Sequence, residues 1–153
     1  MRFEGKQSIN APIETVWAYI TDPDKVAACA PGFISMEKLG PDHFKPKVGV
    51  GIGAVKATFT LDVTLEDLRE PSHAVAHAHG VAAGSAVDVS GAMDLTAESE
   101  TATTMSWAAD VTVSGTIASV GARLLEGTAH KLTDRFFACM RQQVELPAST
   151  PST

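Results

Sequence analysis

The chain has 153 residues, 44% hydrophobic and 20% charged, with a formal net charge of −6. That length suits one globular domain that buries roughly 70% of its unfolded surface without staples. The acidic balance excludes nucleic acid as the main partner, because phosphate binding needs a basic face, and it disfavours the whole body lying on an anionic membrane. The N-terminus, MRFEGKQSIN, has no apolar signal region, and no long apolar run follows. The expectation is a cytoplasmic protein that does not itself span a membrane. Cys29 and Cys139 are the two cysteines, with no CxxC. They read as reduced thiols, Cys139 on the apolar side of a helix.

Residues 2–10 alternate, with Phe3 and Ile9 on one side, and predict a half-buried strand. In APIETVWAYITDP, Pro12 suits the first helical position and Asp22-Pro23 ends the helix. Its face is Ile13, Val16, Trp17 and Ile20. DPDKVAACA predicts a second short helix that stops at Pro31-Gly32. From residue 33 to about 113 the period is two. The clearest strands are 57–66, 85–96 and 104–114, each apolar on one face and rich in Thr, Ser and Asp on the other. That pattern predicts an antiparallel sheet with one buried face. Turns fall at Gly40-Pro41-Asp42, Glu70-Pro71-Ser72 and Gly80–Gly84, with ESETAT as a polar hairpin tip.

After Ser114-Gly115 the period changes. Ile117, Val120, Leu124, Leu132, Phe136, Met140 and Val144 predict one amphipathic helix over about 116–145. Such a helix is roughly 45 Å long, against roughly 33 Å for a ten-residue strand, so it covers the sheet's apolar face. The fold expected is α+β: a curved antiparallel sheet of about six to seven strands around one long C-terminal helix, with two short helices after the first strand. The domain runs over 1–146, and the Pro/Ser/Thr-rich tail 147–153 is expected to be disordered.

The stretch KVGVGIGAVKATF carries Gly49, Gly51 and Gly53 at alternate positions. A dinucleotide fingerprint needs GxGxxG opening a helix, which then holds the pyrophosphate. Here the spacing is GxGxG and a strand follows. The glycines therefore read as places where a strand bends or another group approaches closely.

Taken together, APIETVW, DPDKVAACAPG, VGVGIGAVKATF, GSAVDVSGAM and VSGTIASVGARLLEGTAHKLTDRFF resemble the CoxG family of carbon monoxide dehydrogenase proteins. That family lies within the START-like, helix-grip (SRPBCC) superfamily of hydrophobic-ligand binders. The resemblance covers about residues 1–145. Cys29, Pro31, Gly32, Gly51, Gly53, Lys56 and Gly121 are family-pattern residues with no catalytic role implied. The resemblance implies a helix-grip fold with an internal cavity and a non-catalytic accessory protein. It also implies a bound quinone or lipid-like molecule rather than a covalent cofactor. The implied partner is a molybdenum hydroxylase such as CO dehydrogenase, served in membrane recruitment or electron-acceptor delivery. Peripheral contact at the inner face of the cell membrane follows from that role. Many members carry a longer linker and a C-terminal membrane-anchoring segment; this sequence reaches Thr153, where such a linker would begin.

Local chemistry adds little to this. His73, His77 and His79 share one strand face, and two histidines at that spacing can bind a metal together. No second ligand is placed near them by sequence, so a solvated histidine face is favoured and no metal is expected. His130 reads as a surface residue. Glu66 and Asp67 point to opposite sides of a strand and cannot serve one site. Asp67 is the one acid on an apolar strand face and reads as a rim residue. No nucleophile motif is present.

The apolar face carries the functional expectation. Phe59, Leu61, Val63, Val87, Met93, Met105, Trp107, Gly121, Leu124, Leu125 and Phe136 are the expected cavity lining, with Leu65, Val89 and Leu132 on the same face. The small helix residues Gly121 and Ala122 opposite large sheet residues are expected to leave the room. Cys29, Pro31, Gly32, Phe33, Val50 and Ile52 are the expected mouth or membrane contact, with Ile34 beside them. Three functional classes follow: a hydrophobic-ligand carrier, a protein–protein adaptor or maturation factor for a molybdenum hydroxylase without a physiological ligand, and a cyclase- or hydrolase-type enzyme. The carrier is favoured because the inward positions are nearly all apolar.

Overall fold

A computed structural model describes residues 1–145; the expected tail 147–153 lies outside the described residues. The elements are β1 (Arg2–Ile9), α1 (Ile13–Ile20), α2 (Pro23–Cys29), β2 (Phe33–Gly40), β3 (His43–Ile52), β4 (Val55–Arg69), β5 (His73–Ala82), β6 (Ser85–Ser99), β7 (Ala102–Gly115) and α3 (Ala122–Val144). The strands form one seven-stranded antiparallel sheet in the order β1-β7-β6-β5-β4-β3-β2. It is a meander from β2 to β7, with β1 added beside β7.

Local chemistry sets the short helices. Pro12 stands just before α1, and its carbonyl accepts from Thr15 and Val16. The Asp22 carboxylate caps α2 by accepting from the amides of Asp24 and Lys25, with Pro23 in the first turn. Tyr19 closes the pair by donating its hydroxyl to the Lys25 carbonyl at 3.0 Å. Burial pushes the Tyr19 phenol up from its ordinary pKa.

The expected single helix over 116–145 is two pieces. A tight 3₁₀ segment covers Thr116–Val120, and α3 starts after Gly121, whose φ of 98° breaks the helix. The periodicity runs across the break because Ile117 and Leu125 pack into the same cluster, with Ile52 and Phe59. The 23 residues of α3 span roughly 35 Å at about 1.5 Å per residue.

A second, larger cluster packs the other end of α3. Met140 and Val16 are 0% exposed and Ile9 1%, with Trp17, Leu95, Met105 and Phe137 around them. Thr103 is buried there and donates to the Ala11 carbonyl at 2.8 Å. Arg141 ties this end to β1 by donating to Gln7 and to the Ser8 carbonyl.

The cysteines are not free. Cys29 at the end of α2 is disulfide-bonded to Cys139 on α3, with Cα atoms 5.5 Å apart. The sequence hides this pair because only the packing of α2 on α3 brings the two together. The bond also removes the cysteine argument for a reducing compartment.

Candidate functional site: an apolar interior in two chambers

Strand register decides where the interior is hollow. One inward rung reads Leu65, Ala76, Gly91, Ala109, Phe3 across β4, β5, β6, β7 and β1. Large side chains stand at both ends and three small residues in the middle. A Cβ built on Gly91 would meet only the Ala108 carbonyl at 3.5 Å and the Ala109 Cβ at 3.7 Å, ordinary contacts. The floor of the sheet is therefore low under α3. Room comes from the sheet, not from the start of the helix as the sequence suggested.

Over this floor lies a chamber of about 510 Å³, within the range of small-molecule sites. The sheet supplies Met93, Met105, Trp107, Ala76, Gly91 and Ala109, α3 supplies Leu132, Thr133, Phe136 and Phe137, and α1–α2 supplies Ile20, Thr21 and Val26. A second chamber of about 220 Å³ continues toward the start of α3, lined by Val50, Ile52, Phe59, Leu61, Val87, Ile117 and Leu125 among others. Val89 and Leu132 line both chambers.

No ionisable side chain lines either chamber. In the larger one the polar side chains are Thr21, Thr133 and Trp107. Both threonine hydroxyls donate to their own helix, Thr21 to the Trp17 carbonyl at 2.7 Å and Thr133 to the Ala129 carbonyl at 2.8 Å. The Trp107 indole lies against Gly5, where a Cβ would come within 3.1 Å of Cζ2, so glycine is what lets the ring lie there. Its Nε1–H is buried with no hydrogen-bond partner among the described residues.

The expected lining residues divide. Met93, Met105, Trp107 and Phe136 stand on the large chamber, and Phe59, Leu61, Val87 and Leu125 on the small one. Val63 shares the inward side of β4 but lines neither. Leu124 and Gly121 do not belong there. Leu124 is 43% exposed, one residue round the helix from buried Leu125, and it sits over Gly53. Gly121 forms the helix break and has open space around it.

The expected mouth also divides. Val50 and Ile52 are walls of the small chamber, and Ile52 is buried. Cys29, Pro31, Gly32 and Phe33 instead line a separate surface cleft with Arg135 and Cys139. The alternate glycines act as close-approach and turn positions. The Gly49 amide donates to the Gly32 carbonyl at 2.8 Å, and any Cβ on Gly32 would collide with the Gly49 carbonyl. Gly53, with φ of 60°, turns β3 into β4. Phe33, Ile34 and Leu124 are exposed apolar residues on this side of the molecule.

The opposite face of the sheet is polar. His79 meets Asp88 at 2.6 Å, His43 meets Asp62 at 2.6 Å, His77 meets Glu66 at 3.0 Å and His73 meets Asp94 at 2.8 Å. Sequence reasoning placed no partner near these histidines; the register sets Asp88 opposite His79 and Asp94 opposite His73. Among the described residues, no group of three or more His, Cys, Asp or Glu is placed to hold a metal. Asp67 leaves the apolar face altogether. It adopts φ of 48° at a bulge in β4 and pairs with Arg69 and His73. His130 is exposed and meets the Phe3 ring edge-on at 5.5 Å.

A curved sheet gripping a long helix over an apolar interior defines a START-like protein, and solved structures agree. A START superfamily protein from Mycobacterium smegmatis superposes with a TM-score of 0.74 at 12% identity, covering 95% of this chain and 97% of that one. The Zhui aromatase/cyclase from Streptomyces sp. R1128 gives 0.70 at 16% identity, covering 95% and 93%. A conserved protein from Geobacillus kaustophilus gives 0.89 at 27% identity, covering 95% of each chain. No curated protein sequence matches. Residues 5–145 match the carbon monoxide dehydrogenase CoxG family, and the chain belongs to that family. No described helix is long and apolar enough to cross a membrane.

Proposed function

We propose that this protein is a non-catalytic accessory protein that carries a hydrophobic molecule, quinone or lipid-like, in the interior between α3 and the sheet. The observation that carries the reading is the apolar chamber of about 510 Å³ with no ionisable group on its walls. General acid–base or nucleophilic chemistry needs a positioned titratable or nucleophilic side chain beside the substrate. The walls offer two threonines spent on their helices and one indole. This weighs against a cyclase-type enzyme on the same fold. The CoxG family name supports a CO dehydrogenase-type molybdenum hydroxylase as the partner. In that setting the carrier serves membrane recruitment or delivery of an electron acceptor, and exposed Phe33, Ile34 and Leu124 offer apolar contact to a bilayer.

The test is native mass spectrometry of protein purified from its own host, with solvent extraction and identification of the bound molecule. A stoichiometric quinone or lipid supports the carrier. A clean unliganded mass, with no uptake from quinone-loaded vesicles, overturns it and leaves an adaptor that holds a molybdenum hydroxylase without a ligand.

A further inference from the structure

The two chambers differ in shape and chemistry, and that difference specifies the cargo. The larger, about 510 Å³, holds every polar side chain that α1, β7 and the middle of α3 bring near it. The smaller, about 220 Å³, is walled by aliphatic and aromatic groups, with Thr128 as the only polar side chain. Val89 on β6 and Leu132 on α3 border both, one from the sheet and one from the helix. The boundary between the chambers therefore runs between these two side chains.

We infer that the cargo is a neutral molecule with a broad head in the large chamber and a narrow alkyl or isoprenoid tail in the small one. Val89 and Leu132 form the neck that reads the tail. This rests on the carrier reading above. Neutrality follows from the walls. An ionised group moved from water into this interior finds no counter-charge, and burying an unpaired charge is far more costly than burying a carbonyl. The Met1 ammonium is the one charge at the small chamber, and it donates to the Val111 carbonyl at an exposed edge. Tail reading follows from the neck. Leu132 lies between Leu125, which walls the small chamber, and Phe136, which walls the large one. A bulkier side chain at the neck shuts one chamber off from the other while leaving each intact.

The probes are a benzoquinone bearing a decyl chain, the same ring without the chain, and dodecanoate. Binding is measured by titration calorimetry on the wild type, Leu132→Phe and Val89→Phe. The second variant approaches the neck from the opposite wall in case the first fails to fold. Wild type is expected to bind the decyl compound at least about tenfold more tightly than the bare ring or dodecanoate. Either neck variant should bring the decyl compound to within about twofold of the bare ring and leave the bare ring unchanged. Equal binding of decyl and bare rings, tighter binding of dodecanoate, or a neck variant that weakens both rings equally overturns this inference while the carrier reading stands. No binding of any probe to folded wild type overturns both.

Discussion

The two halves of α3 face different interiors. Toward its C-terminus, Met140, Val144 and Phe137 are buried in one cluster with Val16, Trp17 and Ile9. In its middle, Leu132 and Phe136 hang over Ala76, Gly91 and Ala109 with a hollow between. One helix thus supplies stability at one end and a binding space along the rest. Close packing rewards every buried methylene, so a protein keeps a hollow only where something else gains from it.

Substitutions at the two ends should therefore separate stability from binding. Met140→Ala removes a fully buried side chain from the packed end. It is expected to cost about 2–5 kcal/mol in urea unfolding, with ligand affinity of the surviving folded fraction unchanged. Reducing the Cys29–Cys139 bond, or replacing both residues by serine, frees α2 from α3. The expected loss is about 2–5 kcal/mol, read as the difference in unfolding midpoint with and without a dithiol reductant. Tyr19→Phe removes one hydrogen bond within the α1–α2 corner and should cost about 1 kcal/mol by the same unfolding assay. At the hollow the effect reverses. Ala109→Leu adds apolar atoms to an open floor, so stability should hold to within about 1 kcal/mol while binding is lost. Leu124→Ser, on the exposed face, should change stability by less than about 0.5 kcal/mol. It should lower only co-sedimentation with lipid vesicles.

The sheet and its enclosing role were legible because ATFTLDVTLED and its neighbours alternate so regularly. The family was legible from segments such as CAPG and VGIGAVKATF, which match over nearly the whole chain. The hollow was not. Its floor is Ala76, Gly91 and Ala109, three ordinary small residues on three strands that become neighbours only through register. Register is a long-range property that a period of two does not encode. The helix break at Gly121 was hidden because Ile117 and Leu125 keep helical spacing across it. The disulfide depended on α2 docking against α3, and the histidine–carboxylate pairs on cross-strand neighbours. Each of these is tertiary information.

The most direct test of the central claim uses Trp107, the tryptophan on the chamber wall, with Trp17 replaced by phenylalanine to silence the packed end. Titrating the decyl benzoquinone should quench Trp107 emission saturably, and Ala109→Leu in the same background should abolish the quenching. Quenching that never saturates, or that survives Ala109→Leu unchanged, would contradict an apolar cargo held over the sheet floor.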